Sequence, residues 1–277
     1  MLIRSWNLLH GNAVPTQRDA FLDEMIELAA ADNPDVLCLQ EVPAWALDRF
    51  TVGDVAARPV FGPLPIPRSL GRALTSLHHG VLRSAFSGQG NAMQIAPRLR
   101  TTSHDVLTLN TRRFRDAQAR ELELDAVARL AWAKERRIVQ AVRLAAAEGR
   151  TYVIANTHCT SYPDPRLADA ELLRAAWFTT SLARPDDVVV LAGDFNATLE
   201  QSQTLRDLTG PEWGFTNAGT GIDHVLVRGA QVTATRTWTA SERAHDGRTL
   251  SDHAPVEVEL RDDRPAEARR PRRGSRG

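Results

Sequence analysis

Lysine is nearly missing from this chain: Lys134 is the only one in 277 residues, although basic residues number 34. Set beside abundant alanine, that skew reflects codon bias rather than a demand for guanidinium groups. Cysteine is scarce too, and Cys38 and Cys159 make no disulfide framework. Cys38 lies in an apolar, strand-like run, where a reduced and buried thiol is the usual state. No apolar run approaches the ~18 residues of a membrane span. Met1 leads directly into a strand-like segment with no basic leader and no long apolar stretch behind it. The expectation is a soluble, cytoplasmic protein, with a monomer assumed. Net charge is absent as well, because 34 basic and 34 acidic residues cancel and single out no partner. The cancellation hides an asymmetry: residues 261–277 carry seven Arg and a net +4, leaving the first 260 at −4.

What the chain does have is a sequence of short apolar strands that end in polar residues. The 43% hydrophobic and 25% charged shares suit one large α/β domain or two small ones. The organising stretch runs from Asp187 to Thr198. Val188 to Ala192 is short and β-branched, as in a buried strand, and Gly193 frees the backbone to turn. Asp194 and Asn196 then emerge two residues apart, on one face of an extended backbone.

Other elements follow from periodicity. Strands are expected at Leu2 to Leu8, Asp35 to Val42, Asn91 to Ile95, Val106 to Leu109, Ile138 to Leu144, Thr151 to His158, Ile222 to Val227, Val232 to Trp238 and Val256 to Leu260. Helical spacing covers Gln17 to Asp32, Asp116 to Lys134 and Pro165 to Leu182, with shorter helices at Pro43 to Phe50 and Leu70 to His79. There is no internal repeat and no interdomain linker. The expected organisation is a single domain over 1–260 and a disordered Arg-rich tail over 261–277.

Six strand-end motifs stand out: Asn7 (with His10 just beyond it), Gln40-Glu41, Asn156-Thr157-His158, Asp194-Phe195-Asn196, Asp223, and Ser251-Asp252-His253. Singly, each has an ordinary explanation as a turn former, a solvated loop residue or a hydrogen-bonded histidine. Together, in this order and each beside a short strand, they are hard to ascribe to turns. The ordered set resembles the endonuclease/exonuclease/phosphatase superfamily, the deoxyribonuclease I-like group, over residues 2–260.

That resemblance implies an α/β (α+β) fold: a four-layer α/β/β/α sandwich of two mixed β-sheets flanked by helices, with the site at one end. It also implies a Mg²⁺- or Mn²⁺-dependent phosphoric ester hydrolase. By resemblance, Glu41 is the principal metal ligand with Asn7 beside it, and Asp252 contributes directly or through water. Asp194 and Asn196 orient the attacking water and the phosphate. His253 is a general base or phosphate-polarising group, with Asp223 holding its ring. His158 donates to the phosphate or protonates the leaving oxygen. Asn91 and Asn156 are candidate substrate-binding residues. The division of the base role between Asp194 and His253 stays open. Carboxylate, amide and water oxygens suit a hard cation of this kind.

The expected substrate is a phosphate ester, with nuclease action on DNA or RNA first. The alternative is a phosphomonoesterase or phospholipid phosphodiesterase of the inositol-phosphatase or sphingomyelinase type. A non-enzymatic binding module is the contrasting class, disfavoured because every motif position is filled. His158 and the presence of only Tyr152 and Tyr162 argue against abasic-site repair, whose members lack that histidine. The tail, with Arg68, Arg72, Arg112, Arg113 and Arg115 at the rim, favours nucleic acid, whereas the acidic balance of the body opposes it.

Overall fold

The computed structural model describes residues 1–16, 20–50, 53–59, 88–147 and 149–261. Fifteen strands are present among them. In chain order they are β1 (Leu2–Asn7), β2 (Ala13–Val14), β3 (Val36–Pro43), β4 (Val55–Ala57) and β5 (Gln89–Ile95). Next come β6 (Arg100–Thr108), β7 (Ile138–Ala145), β8 (Thr151–His158), β9 (Val188–Asp194) and β10 (Thr216–Asn217). The last are β11 (Asp223–Arg228), β12 (Gln231–Thr237), β13 (Ala244–His245), β14 (Arg248–Leu250) and β15 (Val256–Arg261). The α-helices are α1 (Leu22–Ala30), α2 (Arg112–Glu121), α3 (Ala126–Lys134), α4 (Arg166–Ser181) and α5 (Gln203–Leu208).

The strands form two six-stranded mixed sheets, ordered β12-β15-β1-β3-β5-β4 and β10-β11-β9-β8-β7-β6. Strand periodicity explains the layering. In β9, Val188, Val190 and Ala192 face the other sheet, while Val189 and Leu191 face α4. In β3, Val36 and Cys38 face inward, and Leu37 and Leu39 join Met25 and Ala29 of α1. A strand covered on both faces reads as a continuous apolar run rather than an alternating one. The result is the four-layer α/β/β/α sandwich. No helix of the described residues is long and apolar enough to cross a membrane. Both cysteines are free and buried, and burial pushes the Cys38 thiol up to about 12.

Several expected boundaries shift for physical reasons. The helix expected over Gln17 to Asp32 begins at Leu22, and Asn33 ends that segment with φ 48°; Gln17, Arg18 and Asp19 lie outside the described residues. The helix expected over Asp116 to Lys134 is two helices. Glu123 turns left-handed (φ 51°), and the Asp125 side chain then accepts from Ala128 N at 2.7 Å to cap α3. Pro43 opens a 3-10 turn, Ala44–Arg49, rather than an α-helix. The strand expected at Val106 to Leu109 is the end of a longer one, β6, which stops at Thr108. Arg261 closes β15 instead of opening the tail. The helix expected at Leu70 to His79, Arg68, Arg72 and residues 262–277 lie outside the described residues.

Candidate active site

Register brings the strand-end motifs to one rim. β1 and β3 run parallel with Asn7 beside Gln40, and β8 and β9 run parallel with His158 beside Asp194. β11 runs antiparallel to β9, so Asp223 starts its strand directly opposite Asp194. The 251–253 turn that precedes β15 completes the rim: Ser251 Oγ donates to Asn7 O at 2.7 Å.

The backbone here is held in unusual conformations. Eight non-glycine residues have positive φ among those described, and five of them lie at the rim: Leu9, His10, Glu41, Asn196 and Ser251. Such conformations cost on the order of 1–3 kcal/mol each and persist only where surrounding structure enforces them. For Glu41 the enforcing feature is a β-bulge. The β3–β5 register shifts between Leu39 and Val42, and Glu41 (φ 51°) turns its carboxylate into the site. Gly193 has a different role from the free turn its sequence suggested. It lies inside β9 with φ 143°, where an added Cβ would sit 1.9 Å from Thr157 O. Only glycine lets β9 approach β8 this closely.

The side chains form a connected set. Asn7 Nδ2 donates to Asp194 Oδ2 at 2.9 Å, and Asn196 N donates to Asp194 Oδ1 at 2.9 Å. The Asn196 amide itself donates to Cys159 O at 3.0 Å. His253 Nδ1 meets Asp223 Oδ2 at 2.8 Å, and its Nε2 lies 3.8 Å from Asp194 Oδ2. Glu41 Oε2 is 3.1 Å from His10 Nε2. His158 Nε2 lies 3.5 Å from Asp194 Oδ2 and 3.7 Å from Glu41 Oε1, so both carboxylates face the same imidazole nitrogen. Asp252 stands at the exposed edge, Oδ1 3.9 Å from His253 Nε2.

Charge follows from this geometry. Burial, and then the charge of Asp223 opposite, raise the Asp194 carboxyl to about 7 against the pull of His253, Asn7 and Asn196 N. Burial alone would lower His253. The hydrogen bond and charge of Asp223, aided by Asp194 and Asp252, outweigh it and raise the imidazole to about 9. His253 is therefore the cation lying between two facing carboxylates at neutral pH. His158 moves the other way: burial first, then Arg137, His253 and His10, hold it well below its ordinary value. It is neutral, and Arg137 Nη1, which can only donate, sits 2.9 Å from its Nδ1 and 3.3 Å from its Nε2. The shorter contact assigns the acceptor role to Nδ1 and the ring proton to Nε2, which faces Asp194 and Glu41.

Two expected substrate contacts have other partners. Asn156 is fully buried; its Nδ2 donates to Leu39 O (2.9 Å) and Ala92 O (3.0 Å), and its Oδ1 accepts from Gln40 at 2.8 Å. Both amide protons are used in tying one sheet to the other, so none is left for a substrate. Asn91, also buried, reaches Ile138 O and Asn156 O across the same gap, at 3.4 Å each. Residues that pattern reading passed over include Arg137, whose Nη2 also meets Glu135 Oε2 at 2.9 Å. Arg243 is another: its Nη1 donates to the carbonyls of Leu250, Ser251 and His253 and so holds the His253 turn. One arginine among 33 carries no sequence mark of burial.

A profile of the Endonuclease/Exonuclease/phosphatase family matches residues 5–253, which includes every strand-end motif described above. The chain belongs to this family. Its members are hydrolases of phosphoesters, generally dependent on a divalent metal. Solved structures share the fold at low identity. A conserved protein of unknown function from Enterococcus faecalis is 15% identical with TM-score 0.63, over 95% of this chain and 100% of that one. The human Nocturnin catalytic domain, with a bound sulfate anion, is 16% identical with TM-score 0.62, over 94% and 93%. A truncated Caenorhabditis elegans TDP2 is 14% identical with TM-score 0.59, over 94% and 96%. Curated proteins give no sequence match.

The donors at the rim fit the family's divalent metal. Glu41, Asp194 and Asp223 crowd carboxylates into a partly buried space, where burial and then the charge of Asp223 raise Asp194 to about 7. Among the described residues, Asp194, Asp223 and His253 place ligating atoms within 4.8 Å of one another. His253 is the weaker candidate ligand, since Asp223 occupies its Nδ1 and its proton would have to leave. Oxygen donors led by Glu41 suit a hard cation better.

Proposed function

We propose that this protein is a Mg²⁺- or Mn²⁺-dependent phosphodiesterase that cleaves nucleic acid. The observation that carries the reading is the His253–Asp223 pair facing Asp194 across 3.8 Å, with Asn7 fixing the Asp194 carboxylate. Glu41 and Asn7 would hold the cation, with Asp252 reaching it through water. Bound there, a divalent cation supplies positive charge to the phosphate and to the clustered carboxylates.

The protein's own groups divide the remaining work by their protonation. Asp194, raised to about 7, accepts the proton of the attacking water, and Asn196 helps position that carboxylate through its N–H. His253, raised to about 9, enters as imidazolium; it pairs with a phosphate oxygen and returns a proton to the leaving oxygen. His158 is a neutral donor through Nε2 and steadies a second phosphate oxygen, a better match to its low basicity than protonating the leaving group.

The test is a substrate panel of DNA, RNA, sphingomyelin, inositol phosphates and bis-p-nitrophenyl phosphate, each with Mg²⁺, Mn²⁺ or chelator. Metal-dependent release from DNA or RNA supports the reading. Turnover confined to lipid or inositol phosphates would move the enzyme to the alternative class, and no turnover on any ester would leave a binding module.

A further inference from the structure

The rim continues past His158 along the second sheet, to β7 and then β6. Their adjoining ends meet at Leu109 and Asn110, where Leu109 N donates to Arg137 O at 2.8 Å. Three guanidiniums converge on that turn. Arg115 Nη1 and Arg136 Nη1 both donate to Asn110 O, at 2.7 and 2.8 Å, and Arg174 Nη1 donates to Leu109 O at 3.1 Å. They come from α2, the α3–β7 connection and α4, so the tertiary fold alone assembles them.

None of the three has an ion pair among the described residues. The carboxylates close by are otherwise engaged. Asp116 pairs with Arg112 at 3.6 Å, and Glu135 pairs with Arg137. Glu171 is fully buried and accepts from Trp132 Nε1, Thr160 N and Thr160 Oγ1. All three arginines are partly exposed, and each keeps guanidinium N–H groups beyond the one it gives to the turn. Burial, and then the nearby Arg136, pull Arg115 below its usual value against the opposing charges of Asp116 and Glu171. Arg174 also lies over the Phe114 ring, 4.5 Å from its centroid. With no carboxylate of the described residues within ion-pair distance of any of the three, the turn carries positive charge that suits an anion.

Two strand positions separate this turn from His158, on the order of 10 Å at the ~4.8 Å spacing of neighbouring strands. We infer that Arg115, Arg136 and Arg174 form a second anion subsite, which takes a phosphate flanking the scissile one in the same substrate. This rests on the phosphodiesterase reading and narrows it: the preferred substrate carries more than one phosphate, as a nucleic-acid strand does. A guanidinium is suited to the task because its planar donors match phosphate oxygens in pairs.

The experiment compares the full-length protein with the double variant Arg115→Gln and Arg136→Gln, and separately with Arg174→Gln. Glutamine keeps one N–H for the turn carbonyl but removes the charge, and thermal melting monitors folding. Binding of a fluorescent oligothymidylate is measured in chelator across a salt series, and hydrolysis of that oligomer and of bis-p-nitrophenyl phosphate is measured with Mn²⁺. The subsite predicts about tenfold or greater weakening of oligomer binding, the size of a lost charge-assisted hydrogen bond. It also predicts a salt slope shallower by about 0.7 for each lost phosphate contact. The ratio of kcat/KM between oligomer and single-phosphate ester should fall by a similar factor. Unchanged oligomer affinity and salt slope in both folded variants would overturn the subsite, whatever the hydrolysis shows. Weakened binding in a protein that hydrolyses nothing would instead keep the subsite and remove the phosphodiesterase reading.

Discussion

Asp194 and Asp223 face each other in register across two antiparallel strands, an arrangement that repels unless something positive lies between them. His253 is that group, which is why its imidazole is raised to about 9 while Asp194 rises only to about 7. Activity that needs Asp194 ionised and His253 protonated climbs through the lower value and falls through the upper one. In the variant Asp223→Asn the carboxylate that raises His253 is gone, so the alkaline limb of the kcat/KM profile moves to lower pH; a limb that stays in place would reassign it. Replacing either Asp194 or His253 by alanine should lower kcat by about a hundredfold or more with the fold intact, since a positioned acid or base is worth about 10²–10⁴-fold. Near-wild-type turnover in either variant refutes its role. The types of these residues were legible in sequence, and so was the pairing of His253 with Asp223 by family resemblance. The assignment of proton acceptor was not, because it depends on burial and on which charges face each other.

Elements determine how accurately those residues meet. Gly193 shows the point best: the sequence marks a turn, but the structural demand is the contact with Thr157 O. Gly193→Ala must open β9 from β8 and strain a positive φ, a combined cost of about 2–4 kcal/mol that a denaturant titration would read. A cost below ~1 kcal/mol would mean the strand shifts freely there. The same reasoning applies to Asn156 between the sheets. Asn156→Ala leaves Leu39 O and Ala92 O without their donor in the interior, so stability should fall by about 1–3 kcal/mol for each. If instead stability is kept while KM alone rises, Asn156 belongs to substrate binding as its strand-end position first suggested. Helix limits were the least legible feature. The break between α2 and α3 rests on one left-handed residue and one capping aspartate, neither of which interrupts the apolar spacing around it.

At the scale of the molecule, two sheets pressed face to face bring together residues from both ends of the chain. Asn7 bonds Asp194 across 187 positions, and Ser251 Oγ reaches Asn7 O across 244. The site therefore depends on the whole sandwich, and the proposed metal dependence is tested on the assembled protein. Chelator should abolish hydrolysis, with activity restored by Mg²⁺ or Mn²⁺. Glu41→Gln should raise the metal concentration needed for half-maximal rate; an unchanged metal titration counts against Glu41 as the ligand.

The order of strands, their polar ends and the chemical types at those ends were determined by sequence alone, because side-chain period and apolar runs are local properties of the chain. Tertiary structure alone decided which polar ends converge at the rim and which tie the sheets together. It also decided which imidazole is charged and where three arginines without an ion pair among the described residues gather. Each of these follows from distances and burial between residues far apart in the chain, which no local pattern records.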